Sequence, residues 1–193
     1  AGVLIILMFP LSEERELTGE NLLSDSDFSR LASGNTSAWY EDAYVNRSSY
    51  TQYDFTIEDD GTLSAHIVNI LPNDARYAQI ADVHPDSLYC LEGDIRARAV
   101  GGLGANLSVE GPYVFSESLY DVSDWTHVRL YGRTAQDQYS VTVFARLGGY
   151  SGEATGEAWF KNISLTEVNE VPEGYTARDW YQRSSAVSSY SDE

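Results

Sequence analysis

SVTVFARL, residues 140–147, alternates without a break. Successive side chains of an extended chain point to opposite faces, so Val141, Val143, Ala145 and Leu147 share one side while Thr142, Phe144 and Arg146 share the other. The aliphatic side belongs in a core. The second side sets an aromatic ring beside a guanidinium, which predicts a partly exposed working surface, although an arginine stem covering a sheet is the commoner use of that residue.

Outward from this strand the same pattern recurs. Short apolar alternations occupy 38–44, 53–57, 63–68, 77–83, 88–99, 105–110, 127–131, 141–147 and 158–168, and no long stretch has helical periodicity. Turn chemistry separates them: EDDGT at 58–62, LPNDA at 71–75, HPDS at 84–87 and VGGLG at 100–104 carry Gly, Pro or Asx where a chain reverses. Strands of this length fit two packed antiparallel sheets, an all-β sandwich.

The chain has 193 residues, enough for one domain with a sizeable core, and an ordinary apolar share of 42%. Thirty acidic against twelve basic residues give a formal charge of -18, which repels a phosphate backbone and an anionic membrane alike. Nucleic acid is therefore excluded as a partner. The charge suits a surface or secreted protein, and a solvated acidic surface accounts for it without any partner. A single cysteine, Cys90, forbids an internal disulfide or a cysteine metal cluster, and its neighbours Leu88 and Leu91 make it a buried strand thiol.

Both ends differ from the middle. The apolar run in AGVLIILMFPLS stops at Pro10, too short for a span of about 20 residues and without preceding basic residues. It reads as the remnant of a signal sequence or membrane anchor, or as a strand docking into its own domain or a neighbouring subunit. The polar stretch 12–20 is a linker, the sandwich occupies 21–168, and 169–193 is irregular and serine-rich, a flexible exit.

NLLSDSDFS at 21–29, ARYAQIADVHPDSLYCLEGDIRA at 75–97 and AWFKNISLTEV at 158–168 together resemble a jelly-roll carbohydrate-binding module of the cellulose- and xylan-binding, galactose-binding-like type. The resemblance covers about three-quarters of the chain and rests on the order and spacing of its motifs. A narrower resemblance, carried by PNDARYAQ, GANLSVEG, LYGRT, DQYSVTVFARLGGYSGEATGEAWF at 137–160 and the serine-rich exit, is to an extracytoplasmic module of some bacterial membrane glycosyltransferases that use a lipid-linked sugar donor. The resemblance implies an exported, cell-surface setting in bacteria and a non-catalytic role. It also implies a structural Ca2+ between first and last strands, for which Asp25 and Asp27 are the candidate ligands. Lys161, however, stands where the family usually has Asp. Calcium needs about six to eight oxygen ligands, so an ammonium at that position opposes the site and is expected to pair with Asp25 or Asp27 instead.

Sugar recognition uses flat rings stacked on pyranose faces with amide, carboxylate and guanidinium groups reaching the hydroxyls. The chain has 14 Tyr and 4 Trp, which supply such rings. The candidates are Trp39, Tyr40 and Tyr44 early in the domain and Tyr113 and Tyr150 in later loops, with Arg76, Gln79, Arg146 and Gln138 as polar partners. Core packing is the ordinary alternative for each ring, and a salt bridge for each arginine. Catalysis has no comparable support: His66, His84 and His127 are isolated, and neither a nucleophile elbow nor a phosphate-binding loop is present. The sequence thus predicts a non-catalytic glycan-binding module. The second expectation is a structural or assembly module packing against a partner or another copy through a sheet face or residues 3–9.

Overall fold

The computed structural model describes residues 15–150 and 152–181. The N-terminal apolar run and the serine-rich end lie outside these residues. Ten strands follow one helical turn, α1 (Ser29–Ala32): β1 (Tyr40–Ala43), β2 (Thr51–Ile57), β3 (Leu63–Asn73), β4 (Ala75–Asp82), β5 (Leu88–Gly102), β6 (Ala105–Val109), β7 (Val122–Arg133), β8 (Ser140–Leu147), β9 (Ala154–Glu167) and β10 (Arg178–Asp179). They form a four-stranded sheet, β1-β4-β8-β6, and a six-stranded sheet, β10-β7-β5-β9-β3-β2. All named pairings are antiparallel except that of β10 with β7. This is the jelly-roll sandwich expected from the sequence.

The core is where the inward faces meet. Leu107, Val143, Ala145 and Leu147 from the four-stranded sheet oppose Ile67, Leu91, Ile95, Phe160 and Leu165 from the six-stranded one, all buried. Removing this apolar area from water is the main drive for the fold. At one end Phe28 packs against Trp39 and Tyr77, with ring centroids 4.9 and 5.8 Å away. Asn21 fastens the opening segment to the last long strand: its Oδ1 accepts the backbone N–H of Leu23 and Leu165, and its Nδ2 donates to the Ile163 carbonyl.

Two boundaries differ from the sequence reading. Residues 71–75 were expected to be a turn, yet β3 continues through Asn73 and only Asp74 separates it from β4. Pro72 lacks an N–H for the ladder, and the pairing of β3 with β9 shifts register between Asn69 and Asn73, a bulge that accommodates it. The chain thereby crosses from one sheet to the other in a single residue.

The second difference lies after Val168. The expected irregular tail contributes Trp180, 1% exposed, to the core. Its indole stacks near Tyr89 at 6.2 Å and lies over Gly132, where an added Cβ would come within 1.9 Å of Nε1. Glycine on β7 is what admits the ring. Among the described residues no helix is long and apolar enough to cross a membrane.

Candidate functional site

Register builds the outer face of the four-stranded sheet. One row across it is Asp42, Arg76, Arg146 and Asn106, and the next is Tyr40, Ala78, Phe144 and Ser108. Strand alternation sends all of these away from the core. Phe144 forms the floor, with the Arg76 and Arg146 guanidiniums 4.9 and 5.2 Å from its centroid.

Two carboxylates hold those guanidiniums in place. Asp74 accepts Nε and Nη2 of Arg146 at 2.7 and 2.5 Å, a bidentate pair, and also Nη1 of Arg76 at 3.0 Å. Asp42 takes Nε and Nη2 of Arg76 at 2.7 and 2.5 Å. Each planar fork is therefore fixed before any ligand arrives, at little further entropic cost.

Tyrosines surround this floor. Tyr40 is 43% exposed, Tyr44 75%, Tyr113 60% and Tyr150 90%, which leaves their rings available for contact. Tyr113 meets Phe115 edge-on at 5.2 Å, and its segment is tied to β6 by the bridges Ser108 to Phe115 and Ala105 to Leu119. Burial, then the nearby Glu110 and Asp42 charges, raise the Tyr40 phenol above its ordinary value, so it stays protonated and able to donate. A cleft of about 250 Å³ runs between Arg76, Phe144, Arg146, Glu110, Tyr113 and Tyr150. A wider hollow of about 660 Å³ continues past Tyr150 to Tyr44, Asp74 and Glu153.

Tyr40, Tyr44, Arg76, Tyr113, Arg146 and Tyr150, singled out in the sequence, thus come together on one face. Trp39 and Gln79 do not. Trp39 is 2% exposed, and its Nε1 donates to the Asp25 carbonyl at 3.0 Å, because the residue before β1 points inward to Phe28. Gln79 lies on the core side of β4 and clamps Ser24, accepting its N–H at 2.8 Å and donating to its carbonyl at 3.0 Å. Gln138 likewise fastens the chain end, donating to the Trp180 carbonyl at 3.1 Å. Asp42, Asp74, Glu110, Asn106 and Ser108 were missed, because their places follow from cross-strand register, which no single segment states.

Asp25 and Asp27, the residues proposed for calcium, are engaged by donors of their own loop. Asp25 Oδ1 accepts the Arg30 N–H, and its Oδ2 accepts the Leu31 N–H and the Ser37 hydroxyl. Asp27 accepts the N–H of Ser29, which holds its carboxyl below the ordinary value. Among the described residues no three His, Cys, Asp or Glu side chains converge as a metal site would require. The expected pairing of Lys161 with these carboxylates is corrected. Lys161 points from the outer face of the six-stranded sheet, its Nζ 4.5 Å from the Trp125 ring and 4.0 Å from Asp60.

That opposite face has aromatics too, but they are occupied. Arg96 sits 4.8 Å from Trp125 and 4.7 Å from Trp159, Arg98 adds a second cation over Trp159, and His66 lies parallel to that indole at 4.4 Å. Each indole already carries a cation of its own chain. A further hollow of about 530 Å³ between the sheet edges is lined by Thr51, Tyr53 and His66, but the Tyr53 hydroxyl is committed to the Asp42 carbonyl.

No family model matches the chain, and no curated protein sequence matches it. Its fold is shared with a CBM4 carbohydrate-binding module, 12% identical, over 76% of this chain and 99% of that one, at a TM-score of 0.54. The enzymatically active domain of tailspike protein 4 from bacteriophage CBA120 is 11% identical over 77% of this chain and 21% of its own, also at 0.54. TmCBM61, solved with β-1,4-galactotriose, is 13% identical over 77% of this chain and 99% of its own at 0.47. The chain therefore has the jelly-roll β-sandwich fold of carbohydrate-binding modules, as its motifs implied.

Proposed function

We propose that this chain is a non-catalytic glycan-binding module that receives its ligand on the outer face of the four-stranded sheet. The observation that carries this reading is the convergence of exposed Tyr40, Tyr44, Tyr113 and Tyr150 around two guanidiniums pre-set by Asp42 and Asp74. Tyrosine rings supply apolar area with a polar tip, and fixed N–H forks supply donors to sugar oxygens. The fold held in common with a CBM4 module supports the same reading. Two of the face's carboxylates, Asp42 and Asp74, are occupied by arginines, which favours binding over acid–base catalysis at this face.

The module works outside a bacterial cell, a placement supported by the acidic surface and by the likeness of its motifs to extracytoplasmic modules of membrane glycosyltransferases. A glycan array probed with the full chain tests the function. Selective binding is expected for wild type and for a Tyr139→Ala control on the far end of the sheet. Tyr113→Ala and Tyr150→Ala should lose at least about tenfold in affinity while keeping the wild-type circular dichroism. An array on which nothing binds would sink the reading.

A further inference from the structure

Beneath the Pro112–Phe115 segment, beside the cleft, is a chamber of about 20 Å³ lined by Asn106, Ser108, Tyr113, Phe115, Arg146 and Tyr150. Asn106 is 1% and Ser108 2% exposed, and both carry a buried atom without a hydrogen-bond partner, Oδ1 and Oγ respectively. The amide orientation of Asn106 is fixed, since Nδ2 donates to the Gly104 and Gly148 carbonyls at 2.9 and 3.1 Å. Pro112, Tyr113, Arg146 and Tyr150 line both the chamber and the about 250 Å³ cleft, so the two spaces adjoin.

We infer that this chamber is a subsite for one hydroxyl group, the exocyclic primary hydroxyl of a hexopyranose, so that the face prefers hexose-based glycans to pentose-based ones. The inference rests on the glycan-binding reading above. The size admits about one water-sized group, which excludes a carboxylate or an acetamido group. A hydroxyl matches the chemistry: it donates its proton to Asn106 Oδ1 and accepts from the Ser108 hydroxyl. The primary hydroxyl stands off the ring on an additional carbon, so it alone reaches a recess that the ring cannot enter. A pentopyranose lacking that arm leaves both buried atoms unpaired, and a site built around a hydroxyl rejects the analogue without it.

The test is calorimetric titration of the full chain with oligosaccharides matched except for the hydroxymethyl arm: glucose against xylose, galactose against L-arabinopyranose, mannose against lyxose. The hexose member of the bound pair is expected to be at least about tenfold tighter. Ser108→Ala should shrink that ratio below about threefold, and Ser108→Val, which fills the chamber, should bring hexose affinity down to the pentose level. Equal affinity within pairs, or a preference unchanged by both variants, would overturn the subsite and leave glycan binding standing. Silence towards every pair would overturn the glycan reading and the subsite with it.

Discussion

Asp74 takes hold of Arg146 through both carboxylate oxygens, with 6% of Asp74 and 8% of Arg146 exposed, on the outside of a sheet rather than in the core. Such a pair is buried enough that an orphaned partner is costly. Asp74→Ala should destabilise the fold by about 2 to 3 kcal/mol in urea denaturation, and the double variant Asp74→Leu, Arg146→Met by less than the sum of the single changes. Additive costs would show that the two side chains act independently.

Asp25 ties the opening loop together through its bonds to Arg30, Leu31 and Ser37. Three hydrogen bonds to one carboxylate do locally what a bound ion does in a metal-stapled domain. Asp25→Ala is expected to cost about 2 kcal/mol. The melting temperature of the wild type should be the same in millimolar calcium and in excess chelator; a calcium-dependent rise would return Asp25 and Asp27 to the role of ligands.

Gly132 and Trp180 predict a steric test. Gly132→Ala puts a methyl where the indole lies and should expel the ring from its seat, at a cost of about 3 kcal/mol or more and with loss of near-ultraviolet dichroism. Ending the chain at residue 177 should have an effect of the same size. An unaltered melting curve for the shortened chain would show that Trp180 only rests on the sandwich.

Burial, with a smaller opposing contribution from the Tyr131 hydroxyl, pushes the Cys90 thiol up to about 11. The thiolate is the reactive form, so Cys90 should resist alkylation at about pH 8 in the native protein and react at once in denaturant. Its labelling rate then reports opening of β5, where Cys90 pairs with Tyr131 and Thr166. Fast native labelling would contradict this burial.

On the six-stranded sheet His127 bonds Glu92 at 2.9 Å and Asp94 at 2.7 Å. Desolvation lowers the imidazole, but these two acceptors outweigh it and the net value is raised above 6.5. The resulting stability is full below 6.5 and lost as pH climbs through the raised value. For Glu92, burial raises and the bonds from His127 and Arg129 lower, leaving the value below 4.5, so its contribution is lost as pH falls through that lowered value. The stability difference between wild type and His127→Gln should be largest between 4.5 and 6.5 and fade as pH rises through the raised imidazole value. Because the site is partly solvated, about 0.5 kcal/mol is the scale expected. A difference independent of pH would assign the effect to packing.

The sandwich was legible because alternation is a local property: Val141, Val143, Ala145 and Leu147 went to the core as their spacing required. The aromatic and arginine candidates of the face were legible for a related reason, since Phe144 and Arg146 occupy the other side of the same strand. Trp39 misled because a tryptophan in a polar loop looks the same in sequence whether its ring turns outward or inward. Asp74 was hidden for a different cause. Its partner Arg146 is 72 positions away, and only pairing of β4 with β8 brings them together. Trp180 escaped notice because nothing near residue 180 reveals that Gly132 leaves room for it.

None of the four tryptophans faces the cleft: Trp39 and Trp180 are in the core, and Trp125 and Trp159 stand under cations on the opposite sheet. The chain therefore separates its optical signals by location. Indole emission will follow unfolding and remain blind to an occupant of the cleft, whereas the phenols of Tyr40, Tyr44, Tyr113 and Tyr150 carry the spectroscopic trace of contact.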